Sequence, residues 1–228
     1  MLKGASLFTL WKGQPHRATR DIDLLGFGDL SEDHLYSVFS TVLSAESVDD
    51  GILFDLDSMT VGPIRVDLAY GGVRVTLNAY VSKAKIRIQV DVGFGDVVTP
   101  DAESMEFPTL LDFPAPKLRA YPRETVVAEK LEAMVKLGMA NSRMKDFYDI
   151  AFLSESFAFD GNVLAKAIAV TFTRRKTPRP MKHPVAMTSE FAADPTKNIQ
   201  WSAFIRKTGA HLRFTQNLDT YSGRLSLG

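Results

Sequence analysis

The chain has 228 residues, 45% of them hydrophobic and 24% charged, enough for one large domain or two small ones with a buried core. Its 27 basic and 27 acidic residues cancel, so no bulk charge marks a nucleic-acid binder and any basic binding surface has to be local. The absence of cysteine excludes disulfides, thiol catalysis and thiolate metal sites, and no apolar run approaches the roughly 20 residues that cross a bilayer.

The first residues, Met1 to Gly13, carry no small-residue cleavage pattern, so a signal peptide is not read and the cytoplasm is the expected compartment. Ser6 to Lys12 reads as a short helix behind Lys3-Gly4-Ala5, followed by a polar, basic loop from Gly13 to Arg20. Ile22, Leu24 and Leu25 form a strand stopped by Gly26-Phe27-Gly28. Ser31 caps the next helix, in which Leu35, Val38, Phe39, Val42 and Leu43 recur at helical spacing.

Beyond Ile52 the pattern changes to strands. Ile64 to Leu68 and Val73 to Leu77 alternate apolar and polar residues around Gly71-Gly72, a hairpin signal. Ile86, Ile88 and Val90 give a further strand, with Asp91 near its end and Gly93-Phe94-Gly95-Asp96 closing it. The proline-rich stretch from Pro100 to Pro122 reads as a connection. Glu124 to Leu137 is then a helix with Val127, Leu131, Met134 and Val135 on its apolar side. Lys145 or Asp146 opens another, and most of the remainder is helical apart from Thr177 to Pro184. The expected fold class is α+β, with a mixed sheet flanked by helices over residues 1–116 and a mainly helical domain over residues 117–228.

Asp21 and Asp23 stand two apart on a strand, so both side chains project from one face. Like charges held that close repel, and a hard divalent cation with oxygen ligands relieves the repulsion. An isolated Asp-x-Asp is most often a solvated strand face, so the surroundings decide. Gly4-Ala5-Ser6 opens a helix just ahead, where glycine lets backbone approach a phosphate and Ser6 adds a hydroxyl. Asp91 is a third acid at a strand end, and three carboxylates can serve in-line displacement at phosphorus. The histidines, His16, His34, His183 and His211, show no metal-ligand spacing, and neither a dinucleotide fingerprint nor a Walker-type loop is present.

These elements together resemble the nucleotidyltransferase superfold. Four strings, Leu2-Lys3-Gly4-Ala5, Thr19 to Leu25, Glu129-Lys130-Leu131-Glu132-Ala133 and Asn141 to Asp149, make the chain similar to the AbiEii/AbiGii toxin family of abortive-infection and toxin–antitoxin systems. The likeness runs from Met1 to about Leu153 and more loosely to Phe204. It implies a nucleotidyltransferase-type sheet and transfer of a nucleoside monophosphate from a nucleoside triphosphate. It also implies Mg2+ or Mn2+ on Asp21, Asp23 and Asp91, and phosphate contacts from Gly4, Ala5, Ser6 and Lys130. Asp146 would complete the site by orienting Lys130. The implied acceptor is RNA, the 3′ end of transfer RNA first, and the implied partner is a cognate antitoxin. Family relatives usually carry more helical chain before the Lys-Gly-Ala element, so a supporting segment for the Ser6 helix is expected to be missing.

Without the resemblance, Lys130 reads as a solvent-facing lysine, Asp146 as a first-turn acid, and Asp149 as part of a helix surface. Arg174-Arg175-Lys176 with Arg179, Lys182 and His183 is the densest basic stretch, either an RNA-backbone contact or a solvated surface. Two other functions stay open: a catalytically idle nucleotide- or partner-binding relative, and transfer to a protein or small-molecule hydroxyl.

Overall fold

Strands that alternate apolar and polar residues bury one face and leave the other for solvent or chemistry. The first half of the chain is built on that rule. The computed structural model describes residues 1–29, 31–46, 49–64 and 71–209. By internal contacts they form two compact units, Met1–Asp96 with Ser104–Ala120, and Val97–Glu103 with the chain from Tyr121 onward.

The first unit runs β1 (Leu2–Lys3), α1 (Ser6–Lys12), β2 (Ile22–Gly26), α2 (Glu32–Leu43), β3 (Ile52–Pro63), β4 (Gly72–Val81) and β5 (Ala84–Phe94). The short strands β6 (Glu103–Glu106) and β7 (Lys117–Ala120) complete a mixed sheet in the order β3-β4-β5-β2-β1-β7-β6. The β2–β5 and β1–β7 pairs are parallel; β1–β2, β3–β4 and β4–β5 are antiparallel. The Ser31 hydroxyl caps α2 by accepting from the His34 N–H. That helix lays Phe39 and Leu43 on a core of Met59, Val75, Leu77, Val90 and Val92. His16 stacks on Phe8 of α1, with ring centroids 4.6 Å apart.

Two features differ from the sequence reading. The strand paired with β4 is Ile52–Pro63, whose opening Ile52-Leu53-Phe54 breaks the period-2 signal; Arg65 to Leu68 of the expected hairpin lie outside the described residues. The proline-rich stretch also supplies sheet: β7 lies beside β1 with Leu2 opposite Ala120. A four-residue strand between prolines is too short to show a period.

The second unit carries α3 (Arg123–Leu137), α4 (Met144–Ser156), α5 (Gly161–Arg174), α6 (Ser189–Ala193) and α7 (Pro195–Thr208). Asp160 and Asp194 cap α5 and α7 with their carboxylates, and Pro195 occupies the first turn of α7, where its missing N–H costs nothing. Met134, Phe147, Ile150, Phe191 and Trp201 anchor its apolar core. The α+β class is therefore the fold observed. Among the described residues no helix is long and apolar enough to cross a membrane.

Candidate active site

Val90 and Val92 are buried beneath α2, so Asp91 between them must project from the opposite face of the sheet. Parallel pairing of β2 with β5 sets Asp23 directly beside Asp91, and Asp21 lies on the same face two residues earlier. One carboxylate oxygen from each of Asp21, Asp23 and Asp91 lies within 4.8 Å of the others, all three being half-buried. Among the described residues no other three His, Cys, Asp or Glu side chains converge in this way.

At 4.8 Å, two unit charges repel by on the order of 3 kcal/mol at an effective dielectric constant of about 20. A cation relieves that cost. Three hard carboxylate oxygens would suit Mg2+ or Mn2+, and Asp21, Asp23 and Asp91 would be the residues that hold it. The Thr19 hydroxyl donates to Asp21 Oδ1 at 2.6 Å, steadying one of the three.

Gly4 explains how the backbone closes on this group. Its φ is +75°, and a Cβ there would sit 2.0 Å from Asp23 Oδ2 and 2.7 Å from Asp23 Cβ. Any side chain at this position strains the backbone and evicts the carboxylate. Gly4→Ala is expected to destabilise the chain by about 2 kcal/mol and to weaken Mn2+ binding, read by thermal unfolding and by metal titration. An unchanged melting temperature and affinity would contradict the close approach. Ala5 is buried at the N-cap of α1 and Ser6 is the first residue of that helix.

Pairing across the sheet extends the site to residues the sequence reading passed over. Lys3 lies opposite Asp23, and Arg74 opposite Asp91, so Lys3, Asp23, Asp91 and Arg74 form one row across β1, β2, β5 and β4. Arg74 donates from Nε to Asp91 Oδ1 at 2.7 Å and from its terminal nitrogen to Oδ2 at 2.8 Å. The hydrogen bonds to Asp91 raise the guanidinium's pKa. Burial opposes that rise, while Asp91, Asp21 and Asp23 add to it through their charges. Lys3 Nζ reaches Asp96 at 2.8 Å. Only the alternation in β4 hinted at Arg74; its partner comes from register.

The other two expected residues belong to the helical unit. Lys130 on α3 is largely buried, not solvent-facing, and donates to Asp146 and Asp149 at 2.8 Å each. Both acids are fully buried, which also corrects the surface reading of Asp149. They sit one turn apart on α4, and Arg143 Nε gives Asp146 a further bond at 2.6 Å. Burial alone would raise the Asp146 pKa. The charges of Lys130 and Arg143, with their hydrogen bonds, overcome it and hold the carboxyl at about 2 against an ordinary 3.8.

A depressed carboxyl pKa stabilises the fold above the unfolded value and loses that contribution as pH falls through the folded one. The Asp146 contribution, about 2 kcal/mol by this linkage, is thus full above roughly pH 4 and disappears toward pH 2. The wild-type melting temperature is expected to fall across that window more steeply than that of Asp146→Asn. Parallel pH profiles for the two chains would refute the assignment.

The basic stretch is only partly available to a ligand. Arg175 pairs with Glu129 at 3.2 Å and Glu132 at 3.0 Å, and the Thr177 hydroxyl also donates to buried Glu132. These bonds tie the end of α5 to α3.

A family model described as "Nucleotidyl transferase AbiEii toxin, Type IV TA system" matches residues 1–220. No curated protein matches the sequence. Among solved structures, a candidate nucleotidyltransferase from H. pylori is 13% identical with a TM-score of 0.56, over 100% of this chain and 84% of that one. JHP933 from Helicobacter pylori is also 13% identical, with a TM-score of 0.48 over 99% and 87% of the two chains. The first of these similarities shows a shared fold.

Proposed function

The chain belongs to the nucleotidyl transferase AbiEii toxin family, and from that premise we propose that it transfers a nucleoside monophosphate from a nucleoside triphosphate to the 3′ end of transfer RNA. The observation that carries this reading is the convergence of Asp21, Asp23 and Asp91 on one face of the sheet. Family membership supplies the chemistry such a set of acids serves.

In the proposal, Asp21 and Asp23 hold the cation, and Asp91 is either its third ligand or the base toward the attacking hydroxyl. A bound Mg2+ or Mn2+ supplies charge neutralisation for the triphosphate and lowers the pKa of the acceptor hydroxyl. The acceptor oxygen attacks the α-phosphorus in line, forming the new P–O bond as the bond to pyrophosphate breaks. Its proton passes to Asp91 or to solvent. Ser6 and the backbone of Gly4 and Ala5 grip phosphate oxygens. Lys130, as the contact to the phosphates, and Asp146, as the acid that orients it, enter through the family resemblance alone. A cognate antitoxin counters the activity, and both act in the cytoplasm.

The test is incubation of the chain with Mg2+, transfer RNA and each α-labelled triphosphate in turn, followed by separation of RNA from protein. Label in RNA is the expected result. Label on protein or a small molecule would move the acceptor. Mg2+-dependent nucleotide binding with no incorporation into any acceptor would overturn transfer in favour of an idle nucleotide-binding relative.

A further inference from the structure

The acid triad already has a cation on one of its members. Arg74 engages both oxygens of Asp91 in a forked pair at 2.7 and 2.8 Å, an arrangement that fixes the carboxylate's plane as well as its charge. The geometry points to Arg74 as an internal counter-ion that holds Asp91 while the divalent cation is absent and yields one of its oxygens when the cation enters. This inference rests on the metal-binding reading of the triad given above.

Three observations support exchange over a fixed cross-strand bridge. The first is electrostatic: Asp91 is directly opposite an arginine in register, so its charge is met without metal. A divalent ion on the same oxygens would face a guanidinium within a few ångströms, and like charges so placed repel. The second is room to move, since the Arg74 side chain is 39% exposed while that of Asp91 is 14% exposed.

The third is an alternative resting place. Gln89 stands two residues before Asp91 on the same face of β5. In one orientation its amide nitrogen donates to Asp91 Oδ1 at 3.4 Å. With the amide turned over, its oxygen accepts from Arg74 at 3.2 and 3.3 Å. The guanidinium therefore has a neutral acceptor beside the carboxylate, so that leaving an Asp91 oxygen does not leave its donors unmet. Arg74 is a positioning residue in this scheme, acting on the cation through Asp91.

The consequence is a metal affinity held below what three carboxylates alone would give. It is read without turnover, by titrating the chain with Mn2+ alone and following the free ion by its paramagnetic resonance. Arg74→Ala and Arg74→Gln are expected to bind Mn2+ at least about fivefold more tightly than wild type, a coupling of ordinary size for linked sites. Both are expected to melt at a lower temperature than wild type without metal, with the difference closing as Mn2+ is added. Asp21→Ala should remove Mn2+ binding in the wild-type and Arg74→Gln backgrounds alike.

Equal or weaker Mn2+ binding in the folded Arg74→Gln chain would make Arg74 a plain bridge and overturn the inference, leaving the metal reading intact. Absence of Mn2+ binding in wild type and both variants would overturn the metal reading, and this inference with it. If Arg74→Ala does not fold, Arg74→Gln, which keeps much of the side-chain volume, decides the outcome.

Discussion

Asp21→Ala is expected to cut nucleotide incorporation at least about 10²-fold while leaving the melting temperature unchanged or slightly raised. The two effects part because, under the proposed function, Asp21 does opposite things for reaction and fold. For the proposed reaction, losing one of the three proposed oxygen ligands would remove stabilisation of charge at the transferred phosphorus, and 10²-fold corresponds to about 2.7 kcal/mol. For the fold, Asp21 is one of three like charges within 4.8 Å, so its removal relieves repulsion. It also costs the hydrogen bond from the exposed Thr19 hydroxyl. Incorporation at the wild-type rate in a folded Asp21→Ala chain would reject the site. A large drop in stability would show that the acids serve the fold and would leave the lost activity uninterpretable.

Lys130→Ala is expected to cost about 3–5 kcal/mol of stability, the usual result of stripping a buried ion pair of one partner. Asp146 and Asp149 are both fully buried and both accept from the ammonium, and Arg143 also donates to Asp146. A total stability of roughly 5–15 kcal/mol makes such a loss large enough to unfold much of the chain at physiological temperature. Denaturant unfolding followed by circular dichroism measures it. Restoring most of the loss by adding Asp146→Asn and Asp149→Asn would identify the unpaired carboxylates as its cause. A loss below about 1 kcal/mol would mean water reaches the cluster and the network is not a buried one. Inactivity of Lys130→Ala therefore does not by itself assign the lysine to phosphate.

Asp21 and Lys130 differ in how far local sequence reveals their surroundings. Asp21 and Asp23 could be placed on one strand face by counting, because side-chain direction in a strand depends only on parity. The same parity put Asp91 opposite Val90 and Val92. Helix starts were equally local: Ser31 and its acidic first turn mark α2 before any packing is known. Lys130 read alone is a lysine among glutamates, and its burial could not be inferred. Its counter-charges come from α4, 16 and 19 residues downstream, and only packing of α3 against α4 brings them to 2.8 Å.

Arg74 shows the same divide inside one sheet. Alternation in β4 says that its side chain leaves the core, and nothing local says what it meets. The antiparallel register of β4 on β5, set by 10 paired positions from Gly72–Gly93 to Val81–Ala84, brings it to Asp91 and beside Gln89. A one-residue slip would turn every side chain of the strand to the other face. Short β7 and unpatterned β3 carry no local strand signal for a related reason, since each is held by a neighbouring strand more than by its own sequence.

By itself, then, the sequence determined which residue types stand on which strand and helix faces, and through four local strings it carried the family likeness. The tertiary structure decided which of those faces meet. It drew the three acids to within 4.8 Å and laid Arg74 across one of them. In the helical unit it buried Lys130 between two aspartates. The physical reason is range: parity, caps and turns act over a few residues, whereas a charge finds its counter-charge only after strand register and helix packing have fixed distances across the chain.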